Sequence, residues 1–384
     1  MDLRTFSDGM EPGDRVSERR TRIEAELNCD LSHVHIADDQ LGSADEKNCE
    51  QMFGAVPIPV GYAGPLKIMF SNEQRAQLHL PLATTEGALV ASVNRGCKAL
   101  SEMGVFITES IHHGISRSIA LKADSSKLIA QALEEKRDEW KKVAEATSNH
   151  LRLQKYKVDQ SDDYTFLTIF ADTDEAMGMN MITLAAQAIG EWCSAHLECE
   201  FVTVAGNVDS DKKPSTRTAE KGRGYEVVAE ALITPSIVEN ILKTSIPAML
   251  EVAEAKLIHG SQIAGAIGVN LHAANMIAAL HLATGQDVAH VVEGSLAQTE
   301  VSQDGDDLFI RVRVPAIIVG VRGGGTVLPA QKNCLDLLLG PQTSLHPKQQ
   351  LAESIAAGVL AGELSLLAAQ ANHQLAKAHK KLGR

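Results

Sequence analysis

The sequence predicts an α+β protein in which a small ferredoxin-like domain is inserted into a larger domain. Between residues 115 and 204 the hydrophobic pattern follows the order strand, helix, strand, strand, helix, strand, which is typical of a ferredoxin-like unit. The chain after this unit is different, because it contains long helical segments rich in Ala and Gly. A chain of 384 residues can hold two or three domains with large cores.

Before the inserted unit, periodicity and turn residues predict, in chain order, an amphipathic helix at 14–28, an ordered Pro- and Gly-rich loop at 56–65, and strands at 66–70 and 76–82. The turn Thr84-Thr85-Glu86-Gly87 follows. After it, apolar residues recur at helical spacing as far as Met103. We therefore expect a helix here, with Thr84 or Thr85 as its N-cap.

Within the inserted unit the same criteria predict a strand at 115–121, a charged amphipathic helix at 125–146, strands at 151–158 and 164–171, a long helix at 175–196, and a strand at 200–204. After it we expect helices at 238–258 and 263–284, strands at 297–302 and 308–314, and C-terminal helices at 347–372 and 374–382. These elements place an N-terminal helical segment at 1–46, the larger domain at 47–117 and 205–384, and the small domain at 118–204.

Composition limits the classes of partner. The net charge of −13 repels polyphosphate backbones, and an aromatic content of 4% gives few side chains for stacking on bases, so nucleic acid is not expected as a partner. The chain does not begin with the apolar core of a signal peptide, and no stretch approaches the roughly 20 apolar residues that span a bilayer. We expect a cytoplasmic protein without a membrane partner.

The six cysteines are widely scattered and contain no CxxC pair, and metal-binding spacings such as HExxH are absent. This distribution favours reduced, buried thiols over a disulfide framework or a zinc site. We therefore predict no metal site.

Residues 209–214, Asp-Ser-Asp-Lys-Lys-Pro, form the densest cluster of charge in the chain and follow an apolar, strand-like run. Two adjacent ammonium groups would be presented there to an anion. A solvated turn is the structural alternative. The functional interpretation is favoured by four other segments with polar groups in unusual settings, at 84–87, 174–180, 285–287 and 377–379. Together these segments indicate an enzyme.

Glu86 lies at a strand-to-helix turn, where a helix dipole favours a carboxylate, so helix capping is one interpretation of it. Asp287 follows the end of an almost wholly apolar helix, where the dipole would disfavour an anion, and an acid in such a setting usually has a partner. If Lys212 contacts both carboxylates, the three groups could share protons and polarise a substrate carbonyl.

Two histidines and one helix start complete the candidate site. His379 lies on a helix near the chain end and is either a surface histidine or an acid carried onto the site by a flap. His272 is either a hydrogen-bonded core histidine or a ligand-binding group. Residues 177–180, Met-Gly-Met-Asn, begin a helix whose N–H groups could receive a dinucleotide pyrophosphate, and neither GxGxxG nor GxxxxGK[ST] occurs in the chain.

Taken in order, these and further segments resemble the 3-hydroxy-3-methylglutaryl-coenzyme A (HMG-CoA) reductase family over roughly residues 48–384. The segments are 50–54 (Glu-Gln-Met-Phe-Gly), 57–66 (Pro-Ile-Pro-Val-Gly-Tyr-Ala-Gly-Pro-Leu), 83–87 (Ala-Thr-Thr-Glu-Gly), 94–96 (Asn-Arg-Gly), 176–180 (Ala-Met-Gly-Met-Asn), 206–207 (Gly-Asn), 211–214 (Asp-Lys-Lys-Pro), 272–275 (His-Ala-Ala-Asn), 285–287 (Gly-Gln-Asp) and 323–326 (Gly-Gly-Gly-Thr). The Asp-Lys-Lys-Pro and Ala-Met-Gly-Met-Asn forms are similar to the biosynthetic class of this family, and the expected lack of a membrane anchor is similar to its soluble prokaryotic members.

The resemblance implies an oxidoreductase of the mevalonate pathway of isoprenoid biosynthesis, which reduces HMG-CoA to mevalonate and free coenzyme A by two hydride transfers from NADPH. It implies that Lys212 contacts the carbonyl oxygen, Glu86 delivers protons, Asp287 tunes both, and His379 protonates the departing thiolate. These roles fit the chemistry, because the oxyanion needs a fixed cation and the thiolate recaptures the aldehyde unless it is protonated.

The resemblance also implies a large substrate-binding domain with a long central helix and a small inserted NADP(H)-binding domain. The active site would be shared across a homodimer, in a dimer or a tetramer. The implied contacts are Arg117, Asp211, Lys213, Lys256, His272 and Asn275 for the HMG group; Ser92, Asn94 and Arg95 for coenzyme A; and Ser148, Glu175, Met177, Gly178, Met179, Asn180 and Arg384 for the cofactor.

Four positions depart from the family pattern. Glu175 stands where Asp is usual, Ala205 where Ser is usual, Asn149 at the position of an arginine that contacts the 2′-phosphate, and Arg322 where a small apolar residue is commoner. NADPH remains the expected donor, with NADH as the alternative. The competing functions are the same fold acting oxidatively with NAD, an acyl-CoA thioesterase or binding module without redox chemistry, and a catalytically inactive homologue.

Overall fold

The computed structural model describes residues 1–340 and 343–373, and its architecture is a mixed α+β fold. The expected helix at 374–382, with His379, and the expected cofactor contact Arg384 lie outside the described residues.

The α-helices are, in chain order, α1 (Pro12–Leu27), α2 (Asp38–Leu41), α3 (Ala44–Lys47), α4 (Leu89–Met103), α5 (Ser126–Glu135), α6 (Arg137–Glu145), α7 (Met179–His196), α8 (Thr216–Lys221), α9 (Pro235–Ile237), α10 (Ile246–Ala253), α11 (Ser261–Ala264), α12 (Ala273–Thr284), α13 (Val291–Gly294), α14 (Pro329–Leu338) and α15 (Pro347–Ala371). The strands are β1 (Val60–Met69), β2 (Arg75–Ala83), β3 (Val105–Lys122), β4 (Arg152–Ser161), β5 (Tyr164–Asp172), β6 (Glu200–Thr203), β7 (Arg223–Ile233), β8 (Gln298–Asp304) and β9 (Asp307–Ile317).

The sheet is mixed, and β3 is its central element. One part has the strand order β2-β1-β3-β7-β9-β8, in which β1 pairs with β3 in parallel and the other neighbours are antiparallel. The second half of β3 pairs with β5 and β6, and β5 pairs with β4, all antiparallel. The 18 residues of β3 therefore connect both parts of the molecule.

Helix α15 is the core of the larger part. Its 25 residues are mostly Ala, Leu, Gly and Ser, and nearly all are buried. The small side chains allow close contact with α4, since a Cβ on Gly96 would collide with the Ala361 carbonyl. The buried faces of the strands complete this core; on β9, for example, Leu308, Ile310 and Val312 are buried at alternate positions.

The expectation that no stretch approaches a bilayer-spanning segment was wrong for α15. The helix is long and apolar enough, with a mean hydropathy of 1.5 in its most apolar stretch. However, 94% of that stretch is buried inside the protein. Its apolar surface is accounted for by packing against the surrounding helices and strands.

The smaller part is an antiparallel sheet with the order β4-β5-β3-β6, against which α5, α6 and α7 pack. Its separate core contains Leu133, Ile182 and the fully buried Trp140. The indole Nε1 of Trp140 donates a hydrogen bond to the Leu133 carbonyl at 2.8 Å. The expected strands and helices of this part are all present, except that the predicted helix 125–146 is two helices, which separate at Lys136.

Two predicted helices after β7 were wrong in part. The segment 238–258 contains π-helical turns at Val238–Leu242 and Glu254–Gly260 on either side of α10. The segment 263–284 is interrupted: α11 ends at Ala264, because Gly265 adopts a left-handed conformation (φ 63°), and the next helix, α12, begins at Ala273. The prediction missed the interruption because Ala, Gly and Ile retain a helical period through it.

Candidate active site

The loop that carries Lys212 has an unusual backbone. Asn207 (φ 62°), Ser210 (φ 54°) and Lys212 (φ 56°) are all left-handed, a conformation that non-glycine residues rarely adopt. The N–H of Lys212 donates to Oε1 of the buried Glu293 at 2.7 Å. The loop is therefore a constrained element, not the solvated turn that was its structural alternative.

Lys212 and Asp287 form an ion pair, with Nζ 2.7 Å from Oδ2. Both side chains are partly exposed, Lys212 by 39% and Asp287 by 33%, so the pair remains open to a ligand. Gly285 (φ 69°) ends α12, and Asp287 then begins the next turn, Val288–His290, by accepting the Ala289 N–H at 3.0 Å. The expectation that Asp287 opposes a helix dipole was therefore wrong in this detail: the carboxylate is an N-cap.

Burial alone would raise the pKa of Asp287. The hydrogen bonds from Lys212 and from the Ala289 N–H, together with the nearby His290, outweigh burial and lower this pKa below its usual value. Asp287 is therefore an anion at neutral pH, held against an ammonium group.

Glu86 is exposed and lies in the loop before α4. Its N–H donates to Thr84 Oγ1 at 3.0 Å, and α4 begins at Leu89 with Ala88 (φ 73°) at the N-cap. The predicted cap by Thr84 or Thr85 was therefore wrong, and Glu86 is not a capping residue. Among the described residues of one chain, no hydrogen bond or ion pair joins its carboxylate to Lys212.

Two arginines surround Asp211 on the side of the loop away from solvent. Arg223 Nη1 lies 3.0 Å from Oδ1, and Arg117 Nη1 lies 3.4 Å from Oδ2. Burial would raise the Asp211 pKa, but these two cations lower it below its usual value. Lys213 Nζ donates to the Asp211 carbonyl at 3.2 Å, so four predicted residues, Arg117, Asp211, Lys213 and Lys212, lie together.

The residues expected near coenzyme A lie around α4 and are anchored to the core. Ser92 Oγ is 3.0 Å from Ser365 Oγ, and Arg95 donates to the Ser365 carbonyl at 2.7 Å. Asn94 Oδ1 accepts the Gly64 N–H at 3.0 Å. This group is therefore assembled on β1, α4 and α15, not on the lysine loop.

His272 precedes α12, and its N–H donates to Oε1 of the fully buried Glu363 at 2.7 Å. Its ring Nε2 is buried and has no hydrogen-bond partner among the described residues. The interpretation of His272 as a hydrogen-bonded core histidine is therefore not supported by this geometry. Asn275 donates its N–H to the His272 carbonyl at 2.9 Å, and burial lowers the pKa of the nearby Lys256, with Glu363 opposing this effect.

A cavity of about 640 Å³ lies between α7 and the turn at 323–326. Its lining residues are Lys47, Asn48, Ala176, Met177, Gly178, Met179, Asn180, Met181, Gly285, Gln286, Asp287, Gly320, Arg322, Gly323, Gly324, Gly325 and Thr326. The expected cofactor contacts 177–180 and the catalytic candidate Asp287 thus share one cavity. Helix α7 begins at Met179, with Gly178 (φ 96°) at the N-cap, so its first N–H groups face a chamber large enough for a ligand.

Two other cofactor candidates lie at the margin of this cavity. Ser148 Oγ contacts Sδ of the lining residue Met181 at 3.4 Å. Glu175 does not line the cavity but forms an ion pair with Arg322, with Oε2 2.8 Å from Nε. Two of the four departures from the family pattern therefore contact each other.

The chain matches the family model for hydroxymethylglutaryl-coenzyme A reductase over residues 15–384, nearly its whole length. The chain belongs to the HMG-CoA reductase family. Among curated relatives it is similar to the 3-hydroxy-3-methylglutaryl-coenzyme A reductases of Methanocaldococcus jannaschii (40% identity, covering 95% of this chain and 92% of the relative) and Haloferax volcanii (36% identity, covering all of both).

A solved structure with the same fold is the class II HMG-CoA reductase of Streptococcus pneumoniae bound to NADPH in open conformations. The TM-score is 0.69 over 92% of this chain and 86% of that one. Because the two sequences are only 18% identical, this similarity is evidence for a shared fold alone.

Sequence analysis of this HMG-CoA reductase family member missed several site residues. Arg223, His290 and Glu293 form a buried cluster of polar side chains beneath Lys212. A lone acid in the apolar run Val-Val-Glu-Gly at 291–294 was a usable signal, because a buried charge requires a partner. Lys47 was assigned no function, although its side chain lines the cavity.

Proposed function

We propose that this protein reduces HMG-CoA to mevalonate and free coenzyme A with two hydrides from NADPH, a step of the mevalonate pathway. The observation that carries the proposal is the ion pair between Lys212 and Asp287, because Asp287 lines the cavity at the start of α7. An ammonium beside a dinucleotide-sized cavity is suited to stabilise the negative charge that a carbonyl oxygen gains when its carbon accepts a hydride.

The cavity fits the nicotinamide dinucleotide that supplies this hydride. Open N–H groups at the start of α7 suit a pyrophosphate, and Lys47 and Arg322 supply positive charge. Gly323 (φ 79°) and Gly324 (φ 57°) leave open space where side chains would stand. A flat ring could therefore approach the backbone of this turn closely.

The residue roles follow from the reaction. When the thioester carbonyl becomes a hemithioacetal, its oxygen gains negative charge, which Lys212 Nζ stabilises. The carbon–sulfur bond then breaks, and His379 protonates the coenzyme A thiolate. When the resulting aldehyde is reduced, Glu86 supplies the proton for the new hydroxyl through the lysine, whose charge Asp287 maintains. Arg117, Asp211, Lys213, Lys256, His272 and Asn275 would hold the HMG group.

Initial rates with NADPH and NADH in both directions test the cofactor and direction. We expect NADPH oxidation with HMG-CoA to be fastest, and a strong NADH preference, or a faster oxidative reaction with NAD, would contradict the proposal. Release of coenzyme A without loss of reduced-nicotinamide absorbance would instead indicate a thioesterase.

We further propose the domain organisation expected from the sequence, in a cytoplasmic protein. An N-terminal segment at 1–46 precedes a larger substrate domain at 47–117 and 205–384, and the NADP(H)-binding unit at 118–204 is ferredoxin-like. Its strand order β4-β5-β3-β6, antiparallel throughout, supports this assignment. Strand β3 would cross the boundary between the two domains.

The active site is proposed to be shared between two copies of the chain. Glu86 and His272 belong to the group around α4, α12 and α15, whereas Lys212 and Asp287 belong to the cavity group. Among the described residues of one chain, no hydrogen bond or ion pair joins the side chain of Glu86 or His272 to Lys212 or Asp287. A homodimer that places the α4 face of one copy against the lysine loop of the other would complete the site.

Complementation tests this arrangement. Glu86→Gln and Lys212→Ala would each inactivate every site in their own homodimers. In a mixed dimer, one of the two sites combines both intact residues, so random mixing should restore about a quarter of wild-type activity. No recovery in demonstrated mixed dimers would show that both residues act within one chain.

A further inference from the structure

Glu293 lies beneath the proposed catalytic pair and is fully buried, with no exposed side-chain surface. It lies on the short helix α13, among apolar residues. A charged carboxylate in such a place is unfavourable unless several donors or cations face it. Its neighbours therefore indicate what it does.

One oxygen of Glu293 holds the lysine loop. Oε1 accepts the main-chain N–H of Lys212 at 2.7 Å and the guanidinium Nη1 of Arg223 at 2.7 Å. Lys212 has a left-handed backbone, which a non-glycine residue keeps only when its surroundings hold it there. The hydrogen bond from the Lys212 N–H to the buried Glu293 carboxylate holds the backbone in this conformation.

The other oxygen of Glu293 faces His290, whose ring lies between Glu293 and Asp287. Oε2 lies 3.3 Å from His290 Nδ1. The opposite ring nitrogen, Nε2, lies 3.9 Å from Asp287 Oδ2, which is beyond hydrogen-bond distance, and has no hydrogen-bond partner among the described residues. The His290 ring has no exposed surface. The Lys212 side chain, Asp287, His290, Glu293 and the Lys212 main chain thus form a circuit, in which the step between His290 and Asp287 is electrostatic and the others are hydrogen bonds or ion pairs.

We propose that Glu293 is a positioning residue for the reduction: it holds the Lys212 backbone by a hydrogen bond, and it holds the His290 ring, whose charge acts on Asp287 across the remaining 3.9 Å. This inference rests on the proposed catalytic roles of Lys212 and Asp287. Glu293 touches neither reacting atoms nor cofactor in this arrangement. It acts by setting the direction from which the lysine meets its acid.

A metal ion is a less satisfactory explanation of the same cluster. Ligand atoms of Asp211, His290 and Glu293 lie within 4.8 Å of one another. However, Arg223 Nη1 already lies 3.0 Å from Asp211 and 2.7 Å from Glu293. The guanidinium supplies the positive charge that the two carboxylates require.

The test compares Glu293→Gln with Glu353→Gln. Gln at 293 keeps the size of the side chain and an acceptor but loses the charge. Glu353 is an equally buried glutamate that accepts hydrogen bonds from Ser71 Oγ and N–H, at 2.6 and 3.1 Å, outside the site. Each variant replaces one buried glutamate with glutamine, so the two variants differ only in where the change lies relative to Lys212.

For Glu293→Gln we expect kcat to fall roughly 10- to 100-fold, because a displaced catalytic group costs rate even when binding is retained. The loss should be similar with HMG-CoA and with supplied mevaldehyde, since both reductions use Lys212. KM for both substrates should stay within about threefold of wild type. Glu353→Gln should keep wild-type kcat, and equal kcat values for the two variants would overturn the proposal.

His290→Gln supplies a second readout, which also serves if Glu293→Gln does not fold. The groups around His290 are Asp287, Asp211, Glu293 and the buried His281. Removing the ring removes one of the causes that lower the Asp287 pKa. The acid limb of the kcat profile should therefore move to higher pH, and an unchanged profile with unchanged kcat would contradict the circuit.

Lys212→Ala separates this inference from the proposed function. Full activity in that variant would refute the catalytic assignment itself. An inactive Lys212→Ala beside a fully active Glu293→Gln would refute the positioning role alone.

Discussion

The substitution Asp287→Asn would separate the charge of this residue from its structural contact. Asp287 pairs with Lys212 at 2.7 Å and caps the following turn through the Ala289 N–H at 3.0 Å. Asn retains a side-chain oxygen that can cap the turn but provides no negative charge for the ammonium. The variant therefore tests the electrostatic role of the pair.

The expected loss of activity is much larger than the expected loss of stability. Because both side chains are about a third exposed, solvent screens the pair, and its contribution to folding should be about 0 to 1 kcal/mol. Loss of a preorganised group that controls charge on the reacting oxygen costs about 100- to 1000-fold in kcat, or about 3 to 4 kcal/mol of transition-state stabilisation.

The pH dependence has a defined sign. The Asp287 pKa is lowered below its usual 3.8 in the folded protein, against the effect of burial, mainly by Lys212. The ionised form therefore stabilises the fold above pH 3.8, and this contribution is lost as the pH falls through the lower folded value. The stability difference between wild type and Asp287→Asn should be greatest near neutral pH and should shrink in acid.

The assay is NADPH oxidation at saturating HMG-CoA, together with urea unfolding at pH 7 and below pH 4. Asp336→Asn is the matched control, since Asp336 pairs with Lys332 on an exposed helix surface and should leave kcat unchanged. Asp287→Ala should lose about 1 kcal/mol more stability than Asp287→Asn, because it also removes the cap. Wild-type kcat in Asp287→Asn would refute the electrostatic role.

Four other variants test the remaining assignments. Lys212→Ala should abolish reduction of both HMG-CoA and mevaldehyde, whereas His379→Gln should mainly impair thioester reduction; equal losses of the two activities in the histidine variant would contradict its role as thiolate acid. Gly285→Ala should destabilise the fold by more than about 1 kcal/mol and weaken NADPH binding in a fluorescence titration, because the φ of Gly285 is 69° and a Cβ would collide with the glycine turn. Its control is Gly305→Ala, where φ is 59° but the space around the Cβ is open. This variant should lose only about 1 kcal/mol of stability and bind NADPH normally. Lys47→Ala should raise KM for NADPH roughly threefold at unchanged kcat, as expected for one exposed cation near a phosphate, and an unchanged KM would show that this lysine makes no contact.

Local patterns predicted the regular elements well where one physical effect decides them. Alternating apolar residues located β9 because one face of the strand is buried and the other is not. The same reasoning failed at 263–284. There the N–H groups of Leu271 and His272 bond to the buried Glu363, which replaces the helical bonds that the apolar period suggested.

The residues of the candidate site were likewise predicted only in part. Lys212 and Asp287 could be selected because their settings in the sequence were unusual for charged residues. The hypothesis was that Lys212 contacts both Asp287 and Glu86, and within one chain the structure shows the contact with Asp287. The supporting residues Arg223 and Glu293 were missed, because each is a single charged residue whose partner lies far away in the chain.

The sequence by itself determined the fold class, most strands and helices, and the types of residue available for chemistry, because these depend on side-chain pattern over short distances. Its motifs also indicated the family that the whole-chain comparison then established. Only the tertiary structure decided which charges meet. A buried carboxylate such as Glu293 is stable only where several chain segments bring donors to it at once, and that condition is set by packing, not by neighbours in sequence.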